Sequence, residues 1–260
     1  MDLEALLSQQ WPAFVLCFMR VAAIIGSMPV LSGGQTPARV RAGLALLLAV
    51  VIFPAVAGTI PEIEFTPVRI LVLGSQEVLL GLMLGFIGRL LFLAAQFGGT
   101  ILGFQMGFAA ANILDPQSQQ QIQLMSQFQN VLASLVFLAV DGHHVFLRSL
   151  TRSFEIIPPG SVFMLQSAVQ NMMAMTGEMF VLGLQLTAPI YVILILSDFI
   201  LGIMSRIFPQ LNAFMLKFPI NIGVAFIFLG LSTEFIVSIL VSEFHGLTPR
   251  IATFFELVRQ

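Results

Sequence analysis

The place in this sequence where side chains suited to chemistry crowd together is Asp141, Gly142, His143 and His144, an acid followed by two adjacent histidines. A helical zinc site takes its histidines from positions four apart, on one face of the helix. Neighbouring residues on a helix point about 100° apart, so this spacing does not lead us to expect a metal site. Asp141, His144 and Arg148 fall near one helix face, which suits an intersubunit hydrogen bond or ion pair; a polar cap on a helix end explains them equally well. His245 stands alone near the C-terminus and reads as a surface residue. The single cysteine, Cys17, lies in an apolar run, so it forms no internal disulfide, supplies no set of thiolate ligands and reads as core packing. There is no nucleophile elbow, no phosphate-binding loop and no GxGxxG between a strand and a helix. The expectation is a protein that is not an enzyme and needs no cofactor or metal.

A second group of reactive side chains is charge inside apolar stretches: Arg20, Glu77, Arg89, Asp141, Asp198 and Glu234. Each costs about 2.5 to 3.5 kcal/mol at a bilayer centre, so each needs a partner or water. Glu77 and Arg89 cannot serve one another. They are separated by about 18 Å of helix rise and about 120° of rotation. Their partners lie on other helices, on other chains, or outside the hydrocarbon. For Arg89 a snorkelling side chain at the interface and a buried contact both stand; Glu77 is expected in a buried interface.

The elements that must position these residues follow from composition. The chain has 260 residues, 58% hydrophobic and 9% charged, and its mean hydropathy is +0.98; soluble domains carry roughly 25% charged residues. It belongs in a membrane. Thirteen acidic and 11 basic residues give a net charge of -2, with no basic excess to hold nucleic acid. Six stretches approach the about 20 apolar residues that a bilayer span requires: Trp11 to Leu31, Val40 to Gly58, Ile70 to Gly98, Phe128 to Leu147, Phe180 to Met204 and Phe214 to Val241. These predict an all-α membrane protein of about six long helices, mostly in antiparallel pairs. Asp2, Glu4 and Arg20 argue against a cleavable signal, so the first stretch is expected to remain. The breakers between stretches, at 32–37, 58–67, 158–160 and Pro209, are short turns, and residues 1–260 read as one membrane-embedded domain. Basic residues in alternate loops divide evenly: Arg39, Arg41, Arg206 and Lys217 against Arg69, Arg148, Arg152, Arg250 and Arg259. Such a balance sets no orientation. Two explanations stand, a subunit held by partner proteins and simple noise.

Glycines supply the packing signal. Gly81, Gly85 and Gly88, then Gly99, Gly103 and Gly107, make small-residue stripes that let another helix approach closely. From Gly98 to Asn130 the composition shifts. Asp115 and Pro116 suit an N-cap and first-turn proline after a break near Ala110 to Leu114. Gln117, Gln119, Gln120, Gln121, Gln123, Gln127 and Gln129 follow, an uncharged hydrogen-bonding surface fit for a wet lumen or a polar subunit contact. Phe104, Met106, Phe108, Ile113 and Leu114 are bulky and deformable, which suits a constriction that seals and yields. An ordinary re-entrant loop accounts for the same residues. These features leave a secondary transporter and a subunit of a membrane channel assembly as the competing readings.

Four runs, in order and covering nearly the whole chain, resemble the FliR family of flagellar biosynthesis proteins: RVAAIIGSMPVLSGGQTPARVRAGLALLLAVVIFP, EVLLGLMLGFIGRLLFLAAQFGGTILGFQMGFAAANILDPQ, FLAVDGHHVFLRSLTRSFEIIPPG and LTAPIYVILILSDFILGIMSRIFPQLNAFMLKFPI. The resemblance implies a subunit of the flagellar type III export gate in the bacterial inner membrane. One copy would join FliP and FliQ in a helical assembly, with FlhB a further partner and unfolded flagellar proteins passing through the centre. Much of that assembly sits above the membrane plane, so apolar helices need not be plain spans. It further implies that the family's plug corresponds to residues 107–121, with Met106, Gly107, Phe108, Ile113, Leu114, Asp115 and Pro116 at the gate. Arg20, Glu77, Arg89, Asp141, His143, His144, Asp198, Arg206, Lys217 and Glu234 are then assigned to buried or intersubunit polar contacts. A homologous virulence export subunit, the injectisome type, is the nearest competing function. Because a helix with its side chains is about 10 to 12 Å across, six of them are too few to enclose a polypeptide pore alone, and partners are expected on physical grounds.

Overall fold

The computed structural model describes residues 3–28, 36–59, 66–107, 120–161, 165–208, 210 and 213–259, with the backbone alone at 3–10, 59, 67, 120–123, 213 and 214. The described residues form helices: α1 (Leu3–Ser27), α2 (Ala38–Val56), a 3-10 turn (Ala57–Thr59), α3 (Pro67–Gln105), α4 (Gln120–Ala139), α5 (Gly142–Ile156), α6 (Leu165–Ile207), α7 (Ala213–His245) and α8 (Leu247–Arg259). Each of the six apolar stretches is largely helical where described, the fourth being split between α4 and α5. Ala38–Val56, Val68–Gln105, Leu165–Ile207 and Met215–Arg259 are each long and apolar enough to cross a membrane, and α4 with α5 adds a fifth if counted as one broken span.

The difference from six spans arises at two places. In α1 (Leu3–Ser27), the apolar part described with its side chains, Trp11–Ser27, is shorter than a span. The run from Phe128 to Leu147 is interrupted because Asp141 takes a left-handed backbone with φ of 56°, a conformation that Asp tolerates better than most residues. Asp-Gly is a turn-forming pair, and it breaks the helix here. Helix α3 departs from a plain span in the other direction: its 39 residues extend about 58 Å, against a hydrocarbon core of about 30 Å. Even a tilt of about 40°, the upper end of the usual range, leaves part of it beyond the hydrocarbon.

The chain divides into two compact units that take alternate segments of sequence, 1–90, 141–175 and 245–260 in one, 91–140 and 176–244 in the other. In the first, α1 lies against α2 and α8 against α5. Helix α5 buries Phe146, Leu150, Ser153 and Phe154, and α8 buries Leu247, Ile251, Phe254, Phe255 and Val258. These are the spacings of amphipathic helices, apolar on one face only. Helix α2 is the reverse case: only Ala45, Ala49, Ile52 and Val56 are buried, and Leu47, Val50 and Val51 are open.

Arg20 holds this unit together and is itself 0% exposed. Its Nε donates to Glu77 Oε2 on α3 at 2.5 Å. Nη1 donates to the carbonyl of Ser153 at 2.9 Å and to its Oγ at 3.3 Å, and Nη2 donates to the carbonyl of Ile157 at 2.9 Å. The guanidinium carbon also stands 4.3 Å from the ring centroid of Phe154, a cation-π contact. One side chain thus neutralises a buried carboxylate and satisfies carbonyls at the C-terminal end of α5, where a helix dipole favours positive charge. Glycines bring α3 close enough. A methyl at Gly81 would stand 2.7 Å from the Arg20 carbonyl oxygen, and one at Gly85 or Gly88 would overlap Ser27 or Phe146.

Removing one partner of a buried pair costs about 3 to 5 kcal/mol because the other charge is stranded. Arg20→Ala and Glu77→Ala are therefore each expected to cause a large loss of folded protein, read as a fall in Tm in detergent. Arg20→Lys is expected to recover only part, since an ammonium lacks the planar fork, and Arg20→Met combined with Glu77→Leu should exceed either single alanine variant.

Candidate functional site

In the second unit, three phenylalanines from α3, α4 and α7 form a closed triangle. The ring centroids of Phe92, Phe137 and Phe244 are 5.4 to 5.5 Å apart. Around this core, small residues set the approach of the helices to α3. A methyl at Gly98 would lie 2.6 Å from the Gly183 carbonyl oxygen on α6, and one at Gly99 would lie 2.6 Å from Ser126 Cα on α4. Gly103 is buried. The sequence stripe named Gly99 and Gly103 but missed Gly98 and Gly183, which form an equally close backbone contact.

Among the described residues of this unit, the C-terminal end of α3 carries a dense polar arrangement. Asp198 on α6 accepts hydrogen bonds from Lys217 Nζ at 2.9 Å, Gln105 Nε2 at 2.8 Å and Asn221 Nδ2 at 2.8 Å. Asn221 is 0% exposed. Its Oδ1 accepts from Ser197 Oγ at 2.9 Å, which turns its amide nitrogen toward Asp198 and toward the Gln105 carbonyl at 3.3 Å. One of the carbonyls that a helix end leaves unpaired is satisfied in this way. Sequence reasoning named Asp198 and Lys217 without pairing them, and missed Gln105, Ser197 and Asn221. The available signal was a lone Asn inside the apolar run PINIGVAF.

Directly beyond Gln105 the helix stops. Met106 is 1% exposed, packed inside the unit, whereas Phe104 is 54% exposed. Gly107 has a φ of +89°, the left-handed conformation with which helices commonly end and which glycine adopts without a Cβ penalty. The Phe218 ring of α7 fills the place a side chain would need there. Gly107 is therefore a helix stop, not part of a helix-packing stripe. Phe108, Ile113, Leu114, Asp115 and Pro116, the remainder of the expected gate, lie outside the described residues, as does the expected N-cap at Asp115.

Among the later glutamines, Gln127 is exposed and Gln129 is buried, its amide atoms without hydrogen-bond partners among the described residues. Gln96 Nε2 donates to Asn130 Oδ1 at 2.8 Å. An open groove of about 330 Å³ is lined by Gln96, Ser126, Gln127 and Asn130, so part of the glutamine-rich face is open and part is packed.

The remaining charges are distributed differently. Arg89, Arg206 and Glu234 are exposed on their helices, and Arg206 lies in the last turn of α6, where the dipole favours a cation. Arg20 and Glu77 are paired within the chain, so neither is free for a neighbouring subunit. Asp141, His143 and His144 do come together: Asp141 Oδ1 is 3.3 Å from His144 Nδ1 and 4.0 Å from His143 Nε2. Arg148, one turn on, is exposed and outside this cluster.

The Asp198 network predicts unequal effects. Lys217 is 36% exposed, so its ion pair is screened and worth under about 1 kcal/mol. Asp198→Ala removes the shared acceptor of Gln105, Lys217 and the buried Asn221 amide and is expected to cost about 1 to 3 kcal/mol. Melting of the two alanine variants in detergent should rank Asp198→Ala well below Lys217→Ala. Gly107→Val, strained by its backbone and by Phe218, should fall below wild type too.

Comparison with known proteins agrees with this architecture. The pattern of bacterial export proteins, family 1, matches residues 11–247. The flagellar biosynthetic protein FliR of Bacillus subtilis (strain 168) is 35% identical over 222 residues, covering 84% of this chain and 85% of the relative. FliR of Escherichia coli (strain K12) is 31% identical over 222 residues, 84% of each chain. The surface presentation of antigens protein SpaR of Salmonella typhimurium is 27% identical over 210 residues, covering 81% of this chain and 78% of the relative. With the match running from α1 past the end of α7, the chain belongs to the bacterial export proteins of family 1.

Proposed function

We propose that this chain is a subunit of the flagellar type III export gate, embedded in the bacterial inner membrane, where it joins FliP, FliQ and FlhB in forming the path for unfolded flagellar proteins. The observation that carries the reading is the match to flagellar relatives over most of both chains. The lower identity to SpaR supports the related virulence system less. The apolar faces that α2, α6 and α7 leave open are supplied, in this reading, with lipid and neighbouring subunits. The chain itself performs no chemistry.

In this reading residues 107–121 form the plug. Gln105, held by Asp198 and Asn221, and Gly107, seated against Phe218, give that segment a fixed point of departure. Phe108, Ile113 and Leu114 supply deformable bulk that excludes water and ions until substrate parts them. Native mass spectrometry after co-expression with candidate FliP and FliQ is expected to give a discrete complex containing one copy of this chain. A solitary monomer that ignores both would overturn the reading. Shortening the 107–121 segment is expected to leave that complex intact and to raise membrane ion conductance; unchanged conductance would remove the plug assignment while leaving the subunit assignment in place.

A further inference from the structure

The geometry points to a binding site for a divalent ion of the zinc class at Asp141, His143 and His144. One ligand atom from each residue lies within 4.8 Å of the other two. A tetrahedral ion with bonds of about 2.0 to 2.2 Å needs ligand atoms about 3.4 Å apart. Asp141 Oδ1 and His144 Nδ1 stand at 3.3 Å, while Asp141 Oδ1 and His143 Nε2 stand at 4.0 Å. Small side-chain rotations close the remainder. The side chains of Asp141, His143 and His144 are 72%, 36% and 57% exposed, so the chain itself does not bar an entering ion and leaves room for a further ligand such as water.

Both histidines lie in the first turn of α5, so their rings meet through the orientation of the side chains, while the turn before the helix supplies the acid. Asp141 is left-handed and immediately precedes α5. Its carboxylate makes no capping hydrogen bond to the backbone, the usual duty of Asp at that position, and is turned to the imidazoles instead. The two rings stack, with centroids 4.2 Å apart and planes at 37°. His143 Nδ1 is buried without a hydrogen-bond partner among the described residues, so no other hydrogen bond to that nitrogen fixes the orientation of the ring. Two imidazole nitrogens and one carboxylate oxygen are a donor set suited to zinc and to neighbouring transition metals, not to magnesium or calcium. A bound ion would tie the first turn of α5 to the break before it, as Arg20 ties the last turn of the same helix.

The test uses the full chain in detergent with an affinity tag free of histidine, stripped with chelator and titrated with Zn²⁺ against a chromophoric indicator. Expected is one ion per chain, weakened by about tenfold or more in His143→Gln, in His144→Gln and in Asp141→Asn, which keeps a residue tolerant of the left-handed backbone. His245→Gln should bind as the wild type does. Co²⁺ in place of Zn²⁺ should give a visible absorption band in the wild type that is lost in His144→Gln, a readout independent of stability. No binding by the wild type, or a full site retained in the His143→Gln, His144→Gln double variant, would overturn the proposal.

Discussion

The first unit depends on a guanidinium held away from water. A buried charge is tolerated when its donors are matched, and Arg20 meets that demand with groups on α3, on α5 and just beyond the end of α5. The same constraint explains the small residues nearby. Glu77 reaches Arg20 because Gly81 and Gly85 let α3 lie against the backbone of α1. Charge and small residues are two halves of one packing solution: the glycines set the separation at which a short carboxylate and a long guanidinium can meet.

The second unit handles polarity differently. Asp198 is part exposed and gathers three neutral or cationic donors, and its contribution lies less in ion pairing than in fixing Asn221 and the end of α3. A helix that ends inside apolar surroundings must dispose of its last carbonyls. Here Asn221 takes one of them and a glycine turns the chain away. The stop at Gly107 is thus prepared by residues on two other helices that lie far along the sequence.

Much of this was legible in the residues. The membrane class, the six apolar stretches and the need to neutralise Arg20, Glu77 and Asp198 follow from composition and desolvation. The pairings did not follow, because Arg20 and Glu77 are 57 positions apart and the register between helices is set by packing that no local spacing encodes. The break at Asp141 was visible as an Asp-Gly pair but hidden by the hydrophobicity around it. Gly107 was misread for a related reason: spacing by four indicates a shared helical face only while the helix continues, and Gly107 is where it ends. Asn221 escaped notice because a single amide in an apolar run carries no periodic signal.

The reach of Arg20 also imposes an order in time. Its hydrogen-bond partners are made 57 residues later, at Glu77, and 133 residues later, at Ser153. At a synthesis rate of about 5 to 20 residues per second, the guanidinium waits about 3 to 11 s for the first and about 7 to 27 s for the second. Until Glu77 is made α1 carries an uncompensated cation that hydrocarbon disfavours, and until Ser153 follows the guanidinium still lacks part of its set of acceptors. Closure of the first unit around Arg20 is accordingly a late event in the birth of the chain, completed only after α5 has emerged.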